Sequence, residues 1–341
     1  MEIPFKNGAL VVTSISKPNS VLQSLARGSL AHQVRFIIIG DSKSPQDFAL
    51  AGSEFYNLEK QRSLPYAYAQ ICPEKSYTRK NIGYLLAISG GAPFIVETDD
   101  DNVPREEFWT SRDSLVTGDF IGDQGWVNAY HYFSDTGIYP RGFPLELVRA
   151  PSVVEPPRTE SRQLHCPIQQ GLADDNPDVD AIYRMLFPLP MQFRQDRPLI
   201  LGAHRWCPFN SQNTTTFREA YPLLYLPAHC SFRMTDIWRS YVAQRILWTC
   251  GWNLSFHSAT VYQERNEHNL LRDFADEVPG YLHNARIVET LDALSLSSGP
   301  EKISENLLLC YEALIKLQVV GEAELPLLTA WLEDLRALKI A

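Results

Sequence analysis

Three consecutive aspartates, Asp99, Asp100 and Asp101, directly follow the apolar segment PFIVET. Neighbouring carboxylates raise one another's pKa unless a cation joins them, so the triplet predicts a bound positive charge. Mg²⁺ and Mn²⁺ prefer carboxylate oxygens and bring phosphate oxygens with them. Residues two apart in an extended chain share a face, so we expect Asp99 and Asp101 to face one cleft while Asp100 turns aside. The sequence therefore predicts a divalent-metal site that holds a diphosphate; the alternative is a solvated turn.

A metal-held diphosphate and a separate carboxylate are the minimal requirements for glycosyl transfer. The metal stabilises the charge on the leaving nucleoside diphosphate, and nearby carboxylates stabilise the oxocarbenium-like sugar. Asp236, in the segment TDIWRSY, is a candidate acceptor-side base, and Asp100 is the second candidate for a catalytic carboxylate. Asp236 can equally be an acidic residue that the dipole stabilises in the first turn of a helix.

The segments that carry these residues alternate between apolar runs and helical patterns, which is typical of a mostly parallel sheet covered by helices. The predicted strands span residues 9–13, 34–40 and 93–98, and the predicted helices span residues 19–26 and 76–89. This order places residues 13–19, 41–44 and 99–102 just beyond the carboxyl ends of strands. Ligands bind at that edge of open α/β sheets.

The rest of the chain divides into an irregular middle and a helical end. Residues 106–197 are rich in aromatic residues, Gly and Pro, and predict functional loops. The later patterns predict strands at residues 199–202 and 223–226, and helices at residues 235–247, 269–277, 281–294, 301–317 and 322–338. We therefore predict an α/β domain over residues 1–265 and an all-helical C-terminal appendage over residues 266–341.

The composition disfavours several other classes of protein. The formal net charge of −9 makes the average surface repel nucleic acid and anionic membranes. The six cysteines show no C-x-x-C pair and no short Cys/His spacing, which favours reduced thiols over a zinc site. The sequence shows no run of about 18 apolar residues and no export signal, so it predicts a cytoplasmic protein without a membrane span.

The chain contains the segments VVTSISKPN, IIIGDSKSPQDF, LPYAYAQICPEKSYTRKNIGYLLAISGGAPFIVETDDDNVP and CSFRMTDIWRSYVAQRI, in this order. These segments resemble the shared domain of the STELLO family, plant Golgi proteins assigned to glycosyl transfer, and the likeness covers residues 9–281. A fainter resemblance is to the plant reversibly glycosylated polypeptides, which include UDP-arabinopyranose mutases. There the DDD, a segment like GLADDNPDVDA, an acidic residue before a Trp and a stretch like His257-Ser258-Ala259 occur in the same order.

Both resemblances imply a GT-A fold, which is a nucleotide-sugar-binding α/β unit with a D-x-D metal site. By position, Asp99 would contact the ribose or sugar, and Asp101 would bind the metal together with Asp99. The family pattern implies a histidine as a further metal ligand, which is His257 or, alternatively, His268.

The resemblance also implies roles for residues at the other strand ends. Thr13, Ser14 and Ser16 would line the nucleotide, Arg79 and Lys80 would balance the diphosphate, and Asp41 would hold the base or ribose. Turn and capping residues, or plain surface cations, are the alternatives for these positions. Sugar-facing roles are also open for the acidic residues and tryptophans Asp174, Asp175, Asp178, Asp180, Trp206, Trp238 and Trp252, with loop or core positions as alternatives.

The function predicted from these observations is transfer of a hexosyl or pentosyl group from a nucleotide sugar, with UDP as the expected nucleotide and Mn²⁺ or Mg²⁺ as cofactor. The acceptor is a glycan, a protein or a small molecule. The alternatives are a nucleotide-sugar mutase, a self-glycosylating protein and a non-catalytic module that binds a nucleotide sugar.

Overall fold

A large mixed sheet forms the centre of the molecule. The computed structural model describes residues 3–150, 160–264 and 269–340. The strands are β1 (Ala9–Thr13), β2 (Arg35–Ile39), β3 (Glu54–Tyr56), β4 (Phe94–Thr98), β5 (Asn102–Pro104), β6 (Leu115–Ile121), β7 (Gly125–Trp126), β8 (Glu160–His165), β9 (Ile168–Asp174), β10 (Leu199–Leu201), β11 (Arg205–Trp206), β12 (Asn213–Phe217) and β13 (Leu254–Gln263). The large sheet has the order β3-β2-β1-β4-β12-β9-β13-β10-β6-β8, with β5 beside β13, while β7 pairs with β11 separately.

Helices cover the sheet and form the end of the chain. The α-helices are α1 (Ser20–Ala31), α2 (Leu58–Arg62), α3 (Ala67–Ile71), α4 (Lys80–Ser89), α5 (Ala129–Tyr132), α6 (Ala181–Leu186), α7 (Thr235–Thr249), α8 (Leu270–Asp292), α9 (Ile303–Lys316) and α10 (Glu324–Ala337). Short 3-10 helices lie at Phe5–Asn7, Tyr77–Arg79, Glu106–Trp109, Leu145–Leu147, Arg218–Leu224, Phe232–Met234 and Pro300–Lys302. The predicted α/β class with a C-terminal helical region is confirmed.

The three strands predicted in the first hundred residues follow the sequence pattern closely. Strands β2, β1 and β4 run parallel to one another, as predicted, and β3, which was not predicted, pairs parallel with β2. Residues 9–12 of β1 are all apolar because both faces of the strand are covered: Val11 packs in the same core as α4, and Val12 packs in the same core as α1. Gly83 lets α4 lie close against β1, since a Cβ there would approach the Val11 side chain to 2.6 Å. This close packing brings the start of α4 to the carboxyl ends of β1 and β4.

Beyond β4 the structure departs from several predictions. Residues 223–226 do not form a strand, because the segment with Pro222 folds as the 3-10 helix Arg218–Leu224 and packs against α7 and α9. The middle of the chain contains regular strands, among them β9, rather than loops alone. Strand β9 is buried but lacks the apolar pattern of a typical buried strand. Its Gln169 and Gln170 can be buried because they form hydrogen bonds with neighbouring backbone and side-chain groups.

The C-terminal helices share the core of the α/β unit. The two helices predicted at residues 269–277 and 281–294 form one helix, α8, which continues through Pro279 and packs against α6 and α7. Helix α10 packs against α3, and its Trp331 belongs to the same buried cluster as Val11 of β1. The predicted division between residues 265 and 266 lies outside the described residues and stays a prediction. Within the described ranges, no helix has both the length and the apolar character that crossing a bilayer requires.

Candidate functional site

A cavity of about 720 Å³ opens at one edge of the large sheet. It lies where β1, β2 and β4 end and where β12 begins, and residues after β9 and at the end of β13 also reach it. This is the edge that parallel strands predict for a ligand. Neighbouring strands lie about 4.8 Å apart, so the four steps from β2 to β9 span about 19 Å. The cavity therefore has room for an extended ligand with different chemistry at its two ends.

Three groups of residues line this cavity. The β2 end comprises residues 39–43 with Lys75, Ser76 and Arg79; the acidic edge comprises Asp99, Asp100 and Asp101; the arginine wall comprises Arg141, Arg184, Arg233 and Arg272 with Asp178, Asp236, Asp273 and Asp276. Of the residues predicted from the sequence, the structure brings together at this cavity Thr13, Ser14, Asp41, Arg79, Asp99, Asp100, Asp101, Asp178 and Asp236.

Each carboxylate of the acidic edge is held by a different partner. The Ser14 hydroxyl donates to Asp100 Oδ2 at 2.5 Å, and the Gln263 amide donates to the Asp101 oxygens at 3.1 and 3.2 Å. The Asn19 amide donates to the Asp100 carbonyl oxygen at 2.8 Å and so ties the start of α1 to this edge. Asp100 also lines the cavity, although it was expected to turn aside. Strand β4 ends at Thr98, and the triplet forms a turn in which strand alternation no longer applies.

Asp99 lies between a phenol and an ammonium group. Tyr77 Oη donates to Asp99 Oδ1 at 3.0 Å, and Lys80 Nζ lies 3.3 Å from the same oxygen. Burial raises the pKa of Asp99, although Lys80 and Tyr77 oppose the shift. Lys80 itself is fully buried and also donates to the Thr98 and Ser211 carbonyl oxygens. Lys80 therefore does not line the cavity itself but contacts Asp99, which does. It lies behind the surface at which it was predicted to balance a diphosphate.

The β2 end is organised by Asp41. Its carboxylate accepts from the backbone N–H groups of Lys75 and Ser76 at 3.0 and 2.9 Å, which joins the loop after β2 to the turn before α4. Arg79 is buried behind this turn and donates to Gln61 and to the Cys72 and Pro73 carbonyl oxygens. The Ser16 backbone donates to Ser14 Oγ at 3.1 Å, so Ser16 supports the loop that carries Ser14.

The arginine wall is built on Arg141. Its guanidinium group donates to both oxygens of Asp178 at 2.8 Å and to both oxygens of Asp236 at 3.2 Å. Ser211 adds two further donors to Asp236, its backbone N–H and its hydroxyl, each at 3.1 Å. Burial alone would raise the pKa of Asp236, but Arg141 and Arg239 outweigh burial and hold it below the usual range. Asp236 is thus a fixed, ionised carboxylate at the start of α7.

The structure does not bring His257 to the acidic edge. His257 lies six residues before Gln263 on β13, opposite Gly171 of β9, and its ring nitrogen Nδ1 bonds to the Ser258 carbonyl oxygen at 2.9 Å. Burial and the nearby Arg112 lower the pKa of His257 to about 4. The alternative ligand, His268, lies outside the described residues. Six residues of strand span about 20 Å, so the length of β13 separates His257 from Asp99 and Asp101, with which it was predicted to bind a metal.

Neither the tryptophans nor most of the second acidic cluster reach the cavity. Trp206 and Trp238 are core residues, and Trp252 packs on His165. Asp180 caps α6 by accepting from the Tyr183 backbone, and Asp174 pairs with Arg105 at 2.6 Å. Only Asp178 of that cluster lines the cavity.

Sequence reasoning missed several residues that the fold brings to the cavity. These are Tyr77, Arg141, Ser211, Phe232 and Gln263. Tyr77 lies in the segment CPEKSYTRKNIGY, just before the helix that carries Lys80, so the sequence could have indicated that it lies near the site. Arg141 gave no local signal, because its partners Asp178 and Asp236 are 37 and 95 residues away in the chain.

Comparisons with known proteins agree with the resemblance read from the sequence. A family model described as STELLO glycosyltransferases matches residues 233–341, which include part of the arginine wall. Two Arabidopsis thaliana proteins, named probable glycosyltransferase STELLO2 and probable glycosyltransferase STELLO1, are each 28% identical to this chain over 97% and 98% of its length. Each alignment covers 45% of the relative, so the chain spans less than half the length of these curated relatives.

The structural comparison is weaker. A crystal structure of a mycobacterial protein aligns with 81% of this chain and 74% of its own, at 10% identity and a TM-score of 0.40, a likeness too low to support an argument. By these comparisons the chain is similar to the STELLO glycosyltransferases over nearly its whole length, and it matches their family model over residues 233–341.

Proposed function

We propose that this protein transfers a sugar from a nucleoside-diphosphate sugar, with UDP as the nucleotide, to an acceptor hydroxyl group. The general class follows from its STELLO relatives, which are named as probable glycosyltransferases. The observation that carries the proposal is the acidic edge, where three aspartates line one cavity at the carboxyl ends of parallel strands. The volume of about 720 Å³ suits a ligand of nucleotide-sugar size.

The donor set fits a metal ion that arrives with the substrate. Within the described part of the chain, no three His, Cys, Asp or Glu side chains are grouped as a ready cage for a metal ion. Mg²⁺ commonly binds through one or two carboxylates together with substrate phosphates and water, and does not need such a cage. Asp99 and Asp101 would supply the carboxylates here. A bound metal ion would stabilise the negative charge of the departing diphosphate.

The chain's own residues would position the donor and accept the proton. The β2 end carries Lys43, Lys75 and Arg79 against Asp41, so its positive excess attracts the phosphates. In the reaction the bond between the sugar carbon C1 and the diphosphate oxygen breaks. A bond from C1 to the acceptor oxygen forms, and the acceptor proton passes to a carboxylate.

Asp100 is better placed than Asp236 to receive that proton. Both Asp236 oxygens accept hydrogen bonds from Arg141, and the lowered pKa makes this carboxylate a weak base. Asp100 Oδ2 accepts from Ser14, whereas Asp100 Oδ1 has no hydrogen-bond partner in the described ranges. We therefore assign proton acceptance to Asp100 and a supporting role to Asp236.

Calorimetric titration with UDP tests the binding part of this proposal. Wild type should bind UDP in the presence of Mn²⁺ and at least about tenfold more weakly in EDTA. Asp101→Asn should lose the metal-dependent component. Asp123→Asn is the matched control, because Asp123 is 91% exposed and lies outside the cavity lining. Binding that ignores the metal ion, or that survives Asp101→Asn unchanged, would refute the proposed site.

Product analysis tests the reaction. A panel of UDP- and GDP-sugars with Mn²⁺ is incubated with the protein, and released nucleotide, sugar isomers and the mass of the intact protein are measured. Release of UDP supports glycosyl transfer to an acceptor or to water. An isomerised nucleotide sugar would indicate a mutase instead, and one added sugar mass on the protein would indicate self-glycosylation.

A further inference from the structure

Phe232 is an exposed aromatic residue at the mouth of the cavity. It begins the 3-10 helix Phe232–Met234 before α7, lines the cavity and is 61% exposed. Its ring meets the Tyr77 ring edge-on, with centroids 6.2 Å apart, and Tyr77 in turn donates to Asp99. Phe232 therefore presents an apolar surface one side chain away from the acidic edge.

The charges beside Phe232 balance one another. The arginine wall contains four arginines and four aspartates, so it carries no net charge when all are ionised. Arg141 is held by Asp178 and Asp236, and Arg233 is held by Glu277 at 2.9 Å. The side chains of Arg272 and Asp276 have no hydrogen-bond or ion-pair partner in the described part of the chain. This side of the cavity thus offers donors and acceptors, and its lining side chains have no positive excess that would favour an anion.

The β2 end, unlike the arginine wall, has an excess of positive charge. It carries three cations, Lys43, Lys75 and Arg79, against the single carboxylate of Asp41. An anionic group is accordingly favoured there and not at the arginine wall. If the donor phosphates occupy the cavity between the β2 end and the acidic edge, the space beside Phe232 is left for the second substrate.

We propose that the second substrate is a neutral carbohydrate, one ring of which stacks on Phe232 while its hydroxyl groups bond to the arginine wall. This inference rests on the proposed glycosyl transfer. A sugar ring has an apolar face of C–H groups and a rim of hydroxyl groups, and it needs an aromatic surface beside closely spaced donors and acceptors. Phe232, Arg272 and Asp276 supply these. A phosphorylated lipid would instead require a positive excess at this side.

Saturation-transfer NMR with neutral tetrasaccharides tests the proposal. Gluco-, manno-, galacto- and xylo-tetrasaccharides are added to the protein with and without UDP and Mg²⁺, which replaces paramagnetic Mn²⁺. We expect at least one tetrasaccharide to receive saturation at its ring C–H protons. Phe232→Ala should weaken its affinity about 3- to 10-fold, and Phe232→Trp should retain it. Leu271→Ala is the control, since Leu271 is 73% exposed but does not line the cavity.

UDP affinity measured on the same samples separates the two proposals. Phe232→Ala should leave UDP binding within about twofold of wild type. The inference fails if no tetrasaccharide binds, if Phe232→Ala binds as well as wild type, or if the variant loses UDP and saccharide together. It also fails if a serine-containing peptide or a polyprenyl phosphate binds in place of the sugars. Saccharide binding that depends on Phe232 but is accompanied by no UDP binding would retain this inference and overturn the proposed donor site.

Discussion

The acidic edge and the arginine wall present carboxylates to the same cavity but hold them in opposite ways. Asp99 has a phenol and one ammonium group, the latter at 3.3 Å, and burial raises its pKa. Asp236 has a guanidinium group on both oxygens and two donors from Ser211, and its pKa is lowered. Burial acts in the same direction on both groups, so the number and charge of their partners decide the outcome.

From this difference we expect the acidic edge to be a reactive region and the arginine wall a structural one. An incompletely neutralised carboxylate is stabilised when it binds a cation or a proton, which is what a metal-binding or proton-accepting group requires. A carboxylate in a complete ion-pair network gains little from a new partner and instead fixes the elements that carry it. Arg141 and Asp236 join the loop after α5 to the start of α7 in this way. We expect changes to the wall to affect stability and changes to the edge to affect activity.

Removal of the cation at the centre of the wall should have the largest effect. Arg141→Met leaves Asp178 and Asp236 buried without their guanidinium partner, which should lower the free energy of unfolding by about 3–5 kcal/mol. Urea denaturation at pH 7 measures the change. Arg62→Met is the matched control, because Arg62 also pairs with a carboxylate, Glu74, but is 59% exposed and should change stability by less than about 1 kcal/mol. Equal losses in the two variants would contradict the proposed structural role of the wall.

Substitution by asparagine should change the free energy of unfolding more at Asp236 than at Asp99. Asp236→Asn weakens the ion pair with Arg141 and should lower the free energy of unfolding by about 3 kcal/mol. The pKa of Asp99 is raised on folding, so its ionised form opposes folding at neutral pH. Asp99→Asn keeps an oxygen acceptor for Tyr77 and Lys80, and stability at pH 7 should remain within about 1 kcal/mol of wild type or increase.

For metal-dependent UDP binding, the substitution at Asp99 should have the larger effect. Asp99→Asn should weaken it by at least about tenfold, whereas folded Asp236→Asn protein should bind UDP nearly as wild type does. The comparison between edge and wall breaks down if Asp236→Asn loses binding while retaining full stability.

The contrast between the two regions also explains what the sequence could predict. Strands β1, β2 and β4 are short apolar runs that end in polar residues, so their carboxyl ends and the aspartates after β4 could be placed together from local pattern alone. Ser14 and Asp41 follow by the same rule, and the structure places both at the cavity. The acidic edge is a local feature of the chain.

The arginine wall is a product of distant contacts and could not be found in this way. Arg141 lies in an irregular stretch, and only the fold brings it to Asp236, 95 residues along the chain. Gln263 reaches Asp101 across 162 residues because β13 pairs with β5. The helix through Pro279 was missed for the same reason: packing against α6 and α7 outweighs the local preference for a break.

His257, which the resemblance implied as a metal ligand, can be tested through the pH dependence of stability. The pKa of His257 is lowered to about 4 on folding, while an unfolded histidine titrates near 6.5. The unfolded state therefore binds the proton first, and stability that is present above pH 6.5 is lost as the pH falls toward 4. At pH 5 the loss relative to pH 8 should be about 2 kcal/mol. His257→Gln should remove this part of the pH dependence in urea denaturation at pH 8, 6 and 5.

The same variant separates a structural histidine from a metal ligand. His257→Gln should leave UDP binding in Mn²⁺ unchanged, because His257 lies away from the cavity. A tenfold loss of metal-dependent binding would restore His257 to the metal site.

The smallest expected effect on stability concerns the hydrogen bond that the Ser14 hydroxyl group donates to Asp100 in the acidic edge. Ser14→Ala removes the donor to Asp100, a partly exposed carboxylate that water can solvate, and should lower the free energy of unfolding by about 1 kcal/mol. If Asp100 accepts the acceptor proton, a misplaced carboxylate should slow UDP release from the donor by about tenfold with little change in UDP affinity. Ser14→Thr retains the hydroxyl group and should restore most of the rate. A rate unchanged in Ser14→Ala would show that proton acceptance does not depend on the hydrogen bond from Ser14 to Asp100, and would contradict the positioning role assigned to Ser14.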